Sequence, residues 1–508
     1  MNAVDNTAAE FGTATFASLS VVLKLITAYV EADEVQAAKV PPLQSRIDQC
    51  EQFLRSEFCE HLQENSYVTN HCLQHALGSD VSYLEYRTEC FRPKPPKRGY
   101  AAECAHEHTH FCKECEEPHM LVDAIAALLD SAQGISADER MMIEDELCHL
   151  RKKLQHYIAH LVRGTWEAKQ YAQALGSLVP GVLLVVGDFK MKWRPTSHSE
   201  SHGEWFAKTG FPWHGLKLVW MSRNREIHYY YVNHISQDGI EDHMFVLCSI
   251  AEAIKELIIN KTDPPIEEVK GFFDNANCYK GQDLIYGWAK LTEHLAYFFS
   301  EVANTVVPRF THLFIAEAGF GKTDLDGHFG RITMLLRLQI NKGPEFDATD
   351  AVRLVSVLNC ISAAGVVNRL LVIDRELHFQ LSASTFYQIG SMAHRWVEYE
   401  TDDEGAQVPV AICMERSSHL TDSMPVKYPM RDVDGRALLS DRYHQYSLQE
   451  YGFGGELIHV PKADAPGEDG GGAAAGIALV DHKALPTENP TVSPLAPTPP
   501  PPPMCVYI

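Results

Sequence analysis

The stretch "GVLLVVGDFKMKW", residues 181–193, decides the fold, because a continuous apolar run of strand length ends there at Asp188. A short apolar run bounded by turn signals is typical of a buried strand. The same arrangement returns in "GFFDNANCYKGQDL", residues 271–284, where the apolar run ends at Asp274. It returns again in "FTHLFIAE", residues 310–317, which ends at Glu317. The sequence therefore predicts several buried strands that each deliver a carboxylate at their end.

The segments around these runs predict how the strands are connected. "LKLVWMS" and "IHYYYVNHIS" are rich in β-branched and aromatic residues and predict two further strands. Helical periodicity follows in "EDHMFVLCSIAEAIKELIIN", in "DLIYGWAKLTEHLAYFFSEVAN" and in "DGHFGRITMLLRLQI", which carries Asp326 in its first turn. The order is three strands, helix, strand, helix, strand, helix. This order predicts an α/β fold in which helices cover both faces of a mixed sheet.

The whole chain divides into five regions by composition and periodicity. Residues 1–100 are mainly helical in pattern, and residues 101–178 hold a Cys/His cluster followed by a long helix. Residues 179–345 carry the strand and helix alternation, and residues 346–460 form a mixed extension. Residues 461–508 are rich in Gly and Pro and predict a disordered tail, because such a composition cannot bury a core.

Bulk composition excludes several classes of protein. The formal net charge of −23 argues against non-specific coating of nucleic acid, which needs many Lys and Arg contacts to phosphate. The N-terminus lacks the basic region of a signal peptide, and no apolar run reaches the length of a membrane span. The 13 cysteines lie among histidines rather than in a disulfide framework, which predicts a reducing compartment and metal binding.

The strings "GDFKMKW", "FFDNANCYKG" and "EAGFGKTDLDGHFG" resemble, in this order, the three acidic blocks of eukaryotic cut-and-paste DNA transposases with a ribonuclease H-like core. The resemblance covers roughly residues 150–345 and does not identify a superfamily. It implies DNA strand cleavage and transfer by two Mg²⁺ or Mn²⁺ ions, which need oxygen ligands carrying several negative charges. It assigns Asp188 as the shared metal ligand, with Asp274 and Asp326 completing the set. Asp324 and Glu317 are alternatives for the third ligand.

Further residues follow from the same resemblance. His328 could contact the scissile phosphate, and Lys190, Lys192 and Arg194 supply a basic edge for a DNA backbone. DNA is then the partner, in the form of transposon ends or target DNA. Two ends must be handled together, which predicts a homodimer on DNA, and access to DNA predicts a nuclear location.

The string "ECAHEHTHFCKECEEPH" predicts a structural zinc site. Cys112 and Cys115 form a Cys-x-x-Cys pair, the spacing that lets two thiolates bind one zinc ion. Cys104 and His108 would complete a Cys₃His set, and His106 or His110 could replace His108. A second string, "HCLQHAL" with His71, Cys72 and His75, carries a weaker signal of the same kind. Similar transposases carry a Cys/His module before the catalytic core.

Two alternatives to an active transposase stay open. "AEAGFGKT", Ala316–Thr323, fits a loose phosphate-loop pattern, and "RLLVID" could supply its acidic partner at Asp374. That interpretation predicts an ATPase that depends on Lys322. The other alternative is a catalytically silent protein derived from a transposase, which binds DNA or protein without cleaving.

Overall fold

The computed structural model describes residues 8–31, 33–62, 67–72, 76, 108–198, 200, 208–259, 261–274, 276–280, 282–300, 302, 305–316, 324–373, 396–401, 407–413, 427–429 and 455–462. These residues form a helical N-terminal part and a large mixed sheet with helices on both of its faces. No helix within the described ranges is both long enough and apolar enough to cross a bilayer.

The N-terminal part is a helical bundle with its own hydrophobic core. Its helices are α1 (Ala8–Val30), α2 (Glu34–Ala37), α3 (Val40–Ser56), α4 (Phe58–His61), α5 (Lys113–Ser131) and α6 (Ala137–Gly176). Apolar residues at three-to-four spacing along α6, among them Leu147, Leu150 and Leu154, are buried against the other helices. A capping box starts α6, since Ser136 and Glu139 each bond the backbone N–H of the other.

In the described part of the chain, ten strands form one sheet. They are β1 (Val182–Trp193), β2 (Phe211–Met221), β3 (Ile227–Ile235), β4 (Glu268–Phe273), β5 (Arg309–Ile315), β6 (Val366–Ile373), β7 (Trp396–Thr401), β8 (Gln407–Cys413), β9 (Lys427–Pro429) and β10 (Gly455–Ile458). Their spatial order is β10-β6-β3-β2-β1-β4-β5-β7-β8-β9. Strands β1, β2 and β3 pair antiparallel in sequence order, whereas β4 and β5 run parallel to β1.

The helices that accompany the sheet within the described ranges are α7 (His243–Leu257), α8 (Asn277–Lys280), α9 (Gln282–Phe298), α10 (Asp324–Ile340) and α11 (Ala351–Ile361). Alternate residues of β1 face opposite sides of the sheet. Leu183 and Val185 join the core formed with α7 and α9. Helices α10 and α11 pack on the other face around Trp213 of β2. The predicted α/β fold, a mixed sheet covered by helices on both faces, is thereby confirmed.

The structure differs from the sequence-based expectation in two places. Strand β1 does not end at Asp188 but continues to Trp193, because its second half pairs with the start of β2. The sheet also does not end near residue 345: β6 pairs parallel with β3, and β7 pairs antiparallel with β5. The predicted mixed extension, residues 346–460, therefore supplies strands at both edges of the same sheet. The predicted tail lies outside the described residues from position 463 onward.

Candidate metal centres

Asp188 and Asp274 occupy equivalent places on two adjacent parallel strands. The last paired residues of β1 and β4 are Gly187 and Phe273, so each aspartate is the next residue along its strand. Neighbouring strands lie about 4.8 Å apart. Because Gly187 pairs with Phe273, the next residues, Asp188 and Asp274, point to the same face of the sheet. Asp274 also has a local structural role, because its Oδ1 accepts the Ala276 N–H at 2.9 Å and turns the chain into α8. The sheet therefore places the two carboxylates side by side.

Asp326 reaches the same place from helix α10. Burial, then the charge of Asp274 and then that of Asp326 together raise the pKa of Asp188 to about 8, against a lowering contribution from the Phe189 backbone N–H. Three carboxylates held close together repel one another when ionised, so keeping all three charged costs free energy unless a cation is bound between them. A divalent cation removes this repulsion, which makes the acid cluster of Asp188, Asp274 and Asp326 a candidate metal centre.

The acid cluster is open rather than tightly closed. The ligand oxygens of Asp188, Asp274 and Asp326 do not all lie within 4.8 Å of one another. Among the described residues, the ligand atoms of His61, Cys112 and Cys115 do. Two cations about 4 Å apart, each sharing Asp188, would fit a wider spread of carboxylates than one ion does.

A fourth acid lies near this centre and was not singled out from the sequence. Glu241, in the loop before α7, adds to burial and Asp274 in raising the pKa of Cys278, and Asp188 contributes to the same shift. Its only sequence signal is that it is one of the acids preceding a helix.

Asp324 and His328 lie on a different side of helix α10. Two residues of an α-helix turn through about 200°, so Asp324 and His328 each point about 160° away from Asp326. The ammonium of Lys217 binds Asp324 Oδ2, and the Tyr231 hydroxyl donates to the same oxygen at 3.2 Å. The His328 ring stacks on Tyr231 with centroids 4.3 Å apart.

Burial lowers the pKa of His328 to about 4, with Arg331 adding to the shift and Asp324 opposing it. His328 is therefore neutral and stacked on Tyr231, on the side of α10 away from the acid cluster. Of the two alternatives for the third ligand, Asp324 is held by Lys217, and Glu317 lies outside the described residues together with the rest of 317–323.

The three predicted basic residues have different surroundings. Lys190 lies over two indole rings, with its Nζ 5.0 Å from the Trp213 ring centroid and 5.3 Å from that of Trp193. Lys192 donates to the Gly239 carbonyl at 2.6 Å and so holds the loop before α7. Arg194 is exposed just after β1 ends. The structure thus keeps Lys190 on the face of Asp188, two residues further along the strand.

A second candidate metal centre lies in the helical bundle. His61, at the end of α4, and Cys112 and Cys115, at the start of α5, bring their ligand atoms within 4.8 Å of one another. Cys112 Sγ is 3.6 Å from His61 Nδ1, and Cys115 Sγ is 3.1 Å from Nε2 of His71. His71 adjoins this group through Cys115, so the His/Cys cluster of His61, His71, Cys112 and Cys115 offers two imidazoles and two thiols, the donor set of a tetrahedral zinc site.

The protonation of this His/Cys cluster is sensitive to burial. Burial raises the pKa of the Cys115 thiol, and the neighbouring Cys112 raises it further. Burial also lowers the pKa of His71 to about 4, so this imidazole is neutral, the form that binds metals. A bound cation would stabilise the thiolates that burial alone disfavours.

The predicted zinc ligands are only partly found together. Cys112 and Cys115 lie in the cluster, whereas Cys104 and His106 are outside the described residues. His108 and His110 line a neighbouring cavity of about 520 Å³ with Thr69 and Phe111. His61, which the sequence analysis missed, joins the two thiols instead, and His71 comes from the weaker string. No local spacing could have found His61, because it lies 51 positions before Cys112.

Comparisons with protein-family models, with curated proteins and with solved structures found no match to this chain.

Proposed function

We propose that this chain is a metal-dependent DNA-cleaving enzyme of the transposase type, with a ribonuclease H-like core. The observation that carries the proposal is that Asp188 and Asp274 lie side by side, each directly after the last paired residue of β1 and β4. Asp326 is close enough to raise the pKa of Asp188. The strand order β3-β2-β1-β4-β5, with β1, β4 and β5 parallel, supports the fold assignment.

The chemistry follows from the acid cluster. Asp188 would contact both of two Mg²⁺ or Mn²⁺ ions, and Asp274 and Asp326 would each hold one of them. Such ions activate water or a 3′-hydroxyl and stabilise the leaving oxygen in an in-line attack on phosphorus. The chain's own part is to hold two carboxylates on adjacent strands of a rigid sheet and a third on helix α10, so that little reorganisation is needed during the reaction.

Zn²⁺ is the proposed ion for the His/Cys cluster of His61, His71, Cys112 and Cys115. Its role would be structural, because four protein ligands leave no open position for a substrate. We further propose DNA as the partner, a homodimer as the acting form and the nucleus as the location, since two DNA ends must be brought together.

A nicking assay on supercoiled plasmid with Mg²⁺ or Mn²⁺ tests the proposed activity. Asp188→Asn, Asp274→Asn and Asp326→Asn should each lower the nicking rate by at least about 10²-fold, because each removes a charge that binds metal. Asp130→Asn, an exposed carboxylate in the helical bundle, is the matched control and should nick at the wild-type rate.

Two other outcomes of this assay have definite meanings. Equal nicking by Asp326→Asn and wild type would move the third ligand to Asp324 or Glu317. DNA binding by a folded wild type that never nicks would favour the catalytically silent protein. ATP hydrolysis that disappears in Lys322→Ala would favour the phosphate loop instead.

A further inference from the structure

Strand β3 presents an aromatic strip on the face of the sheet that carries helix α10. The aromatic strip consists of Ile227, Tyr229 and Tyr231, which share one face because alternate residues of a strand point the same way. Tyr231 is the cross-strand partner of Lys217, which binds Asp324 of α10. Ile227 and Tyr229 are 57% and 53% exposed, so most of the aromatic strip is accessible to a ligand.

Contacts with its neighbours fix the orientation of the Tyr229 ring. This ring packs edge-on against Tyr231 with centroids 5.6 Å apart, and the ammonium of Lys217 lies 5.8 Å from the Tyr229 centroid. Tyr231 is itself held, because His328 stacks on its ring at 4.3 Å and its hydroxyl donates to Asp324 at 3.2 Å. A ring that is already fixed loses little conformational entropy when a ligand stacks on it.

Positive charge lies at both ends of the aromatic strip. Arg225 is exposed in the turn before β3, and Arg331 is exposed on α10, one turn after the histidine that stacks on Tyr231. Within the described ranges, no salt bridge involves either arginine. The Asp324 carboxylate, which contacts Tyr231, is neutralised by the ammonium of Lys217. The two free arginine charges therefore favour an anionic ligand.

An accessible aromatic ring between cations is the arrangement that binds single-stranded nucleic acid, because every base has a face that can stack and every linkage is charged. The bases of a duplex are already stacked on one another, so the aromatic strip suits an unpaired strand. We propose that Tyr229 stacks one unpaired base of a single-stranded DNA segment and that Arg225 and Arg331 bind its phosphates. The choice of DNA as the ligand rests on the proposed function.

The aromatic strip and the acid cluster lie on two sides of the same helix end. Asp324, which contacts the strip, and Asp326, which belongs to the cluster, both lie in the first turn of α10. A Cβ added at Gly327 would meet no atom of the described residues within 4 Å. A strand that leaves the acid cluster therefore has an open path across α10 at Gly327 to reach Tyr229.

The test is fluorescence anisotropy of a labelled single-stranded oligonucleotide of about 12 nucleotides, with no Mg²⁺ or Mn²⁺ added. Tyr229→Ala should weaken binding by about five- to a hundredfold, the range that alanine substitution of a stacking ring produces. Tyr229→Phe keeps the ring and should bind as wild type. Tyr297→Ala is the matched control, because it removes a tyrosine of α9 that is 71% exposed, and it should also bind as wild type.

Salt dependence tests the two arginines separately from the ring. Arg225→Met and Arg331→Met should each reduce the slope of log affinity against log salt by about 0.7, the value for one phosphate contact of a single strand. Arg353→Met, an exposed arginine of α11 paired with Asp350, should keep the wild-type slope.

Two competitors identify the ligand. Tyr229→Ala should leave the affinity for the duplex of the same sequence unchanged, and an equal loss for duplex and single strand would overturn the stacking site. Excess ATP at constant ionic strength should not displace the oligonucleotide from wild type. Displacement by ATP would assign the ring to a free nucleotide and overturn the proposal for DNA.

The stacking site and the cleavage activity can fail separately. Equal single-strand affinity of Tyr229→Ala and wild type would overturn the stacking site even if the wild type nicks plasmid. Weaker binding by Tyr229→Ala, in a protein that never nicks, would keep the stacking site and reject the nuclease. Absence of single-strand binding by the folded wild type would reject the stacking site and leave the nicking assay to decide the proposed function.

Discussion

At the scale of single residues, the core of the sheet contains a buried pair of histidines. His214 of β2 and His234 of β3 are direct cross-strand neighbours, and both are fully buried. Each places its Nδ1 2.8 Å from the Oγ of Ser249 on α7. A hydroxyl has one proton, so it donates to one ring and accepts from the other, and the two rings must be opposite tautomers. Both histidines are neutral in this arrangement.

We therefore expect acid to destabilise the fold through this pair. Burial lowers the pKa of His214, and His234 lowers it further. Burial lowers the pKa of His234 to about 3, with Arg369 adding to the shift. Below the ordinary histidine pKa near 6.5 the unfolded chain binds more protons than the fold, so this contribution is complete above about pH 6.5 and is lost as the pH falls. Each histidine contributes up to about 1.4 kcal/mol per pH unit.

Urea unfolding at several pH values between 5 and 7 measures this slope. His234→Gln should unfold with a slope that is shallower by up to about 1.4 kcal/mol per pH unit. His149→Gln, an exposed histidine on α6, is the control and should run parallel to wild type. Parallel lines for wild type and His234→Gln would contradict the prediction.

The residues that the sequence could identify are those with a local signal. Asp274 follows a short apolar run, and the structure places it directly after β4. His61 has no such signal, because its approach to Cys112 depends on how α4 packs against α5.

At the scale of elements, helix α10 can lie close to the sheet because of a glycine. Gly215 of β2 is the cross-strand partner of Asp188, and a Cβ there would collide with the ring of Phe329. The close approach lets α10 bring Asp326 towards Asp188.

Gly215→Ala should therefore lower the free energy of unfolding by about 1–3 kcal/mol, as overpacking does, and should also lower the nicking rate. Gly327→Ala is the matched control on the same helix, because its Cβ would meet nothing among the described residues. It should raise stability by about 0.5–1 kcal/mol. Urea unfolding of the two variants checks both signs, and equal stability of Gly215→Ala and wild type would contradict the role of this contact.

The length of β1 shows where element prediction stops. The apolar run ends at Asp188, and the following residues "FKMKW" alternate apolar and polar side chains. Alternation is also a strand signal, but here it continues a strand that began as a fully buried one. The pattern changes at the point where β1 stops pairing with β4 but continues to pair with β2.

At the scale of the whole molecule, removal of metal should affect the helical bundle first. The His/Cys cluster joins the end of α4 to the start of α5, and Cys115 is part of the bundle core. A chelator strong enough to remove zinc should lower the Tm of this part by about 5 °C or more, since structural zinc contributes directly to folding.

Differential scanning calorimetry with and without chelator measures this effect, alongside the zinc content per chain. Cys112→Ser should lose both the bound zinc and the response to chelator. Cys148→Ser removes an exposed cysteine and should behave as wild type. A wild type that binds no zinc would contradict the assignment.

The outer strands mark the limit of prediction for the whole fold. Strand β6 joins β3, which precedes it by more than a hundred residues, and β10 then joins β6. Edge pairing of this kind depends on long-range register, which a single sequence does not encode in any local pattern. The central order of three strands, helix, strand, helix, strand was readable because each of these elements carries its own local pattern of apolar residues.

Helix α6 runs without interruption for 40 residues, from Ala137 in the bundle to Gly176 beside the sheet, where Tyr171 packs on Phe272 at 4.6 Å. Such a helix is about 60 Å long and fixes rotation as well as distance. A single inserted residue would turn everything before it by about 100° relative to the sheet and shift it by about 1.5 Å. An insertion of eighteen residues, five whole turns, would restore the angle and change only the span. A change in the length of this helix by anything other than a whole number of turns would therefore alter the angle between the His/Cys cluster and the acid cluster as well as their separation.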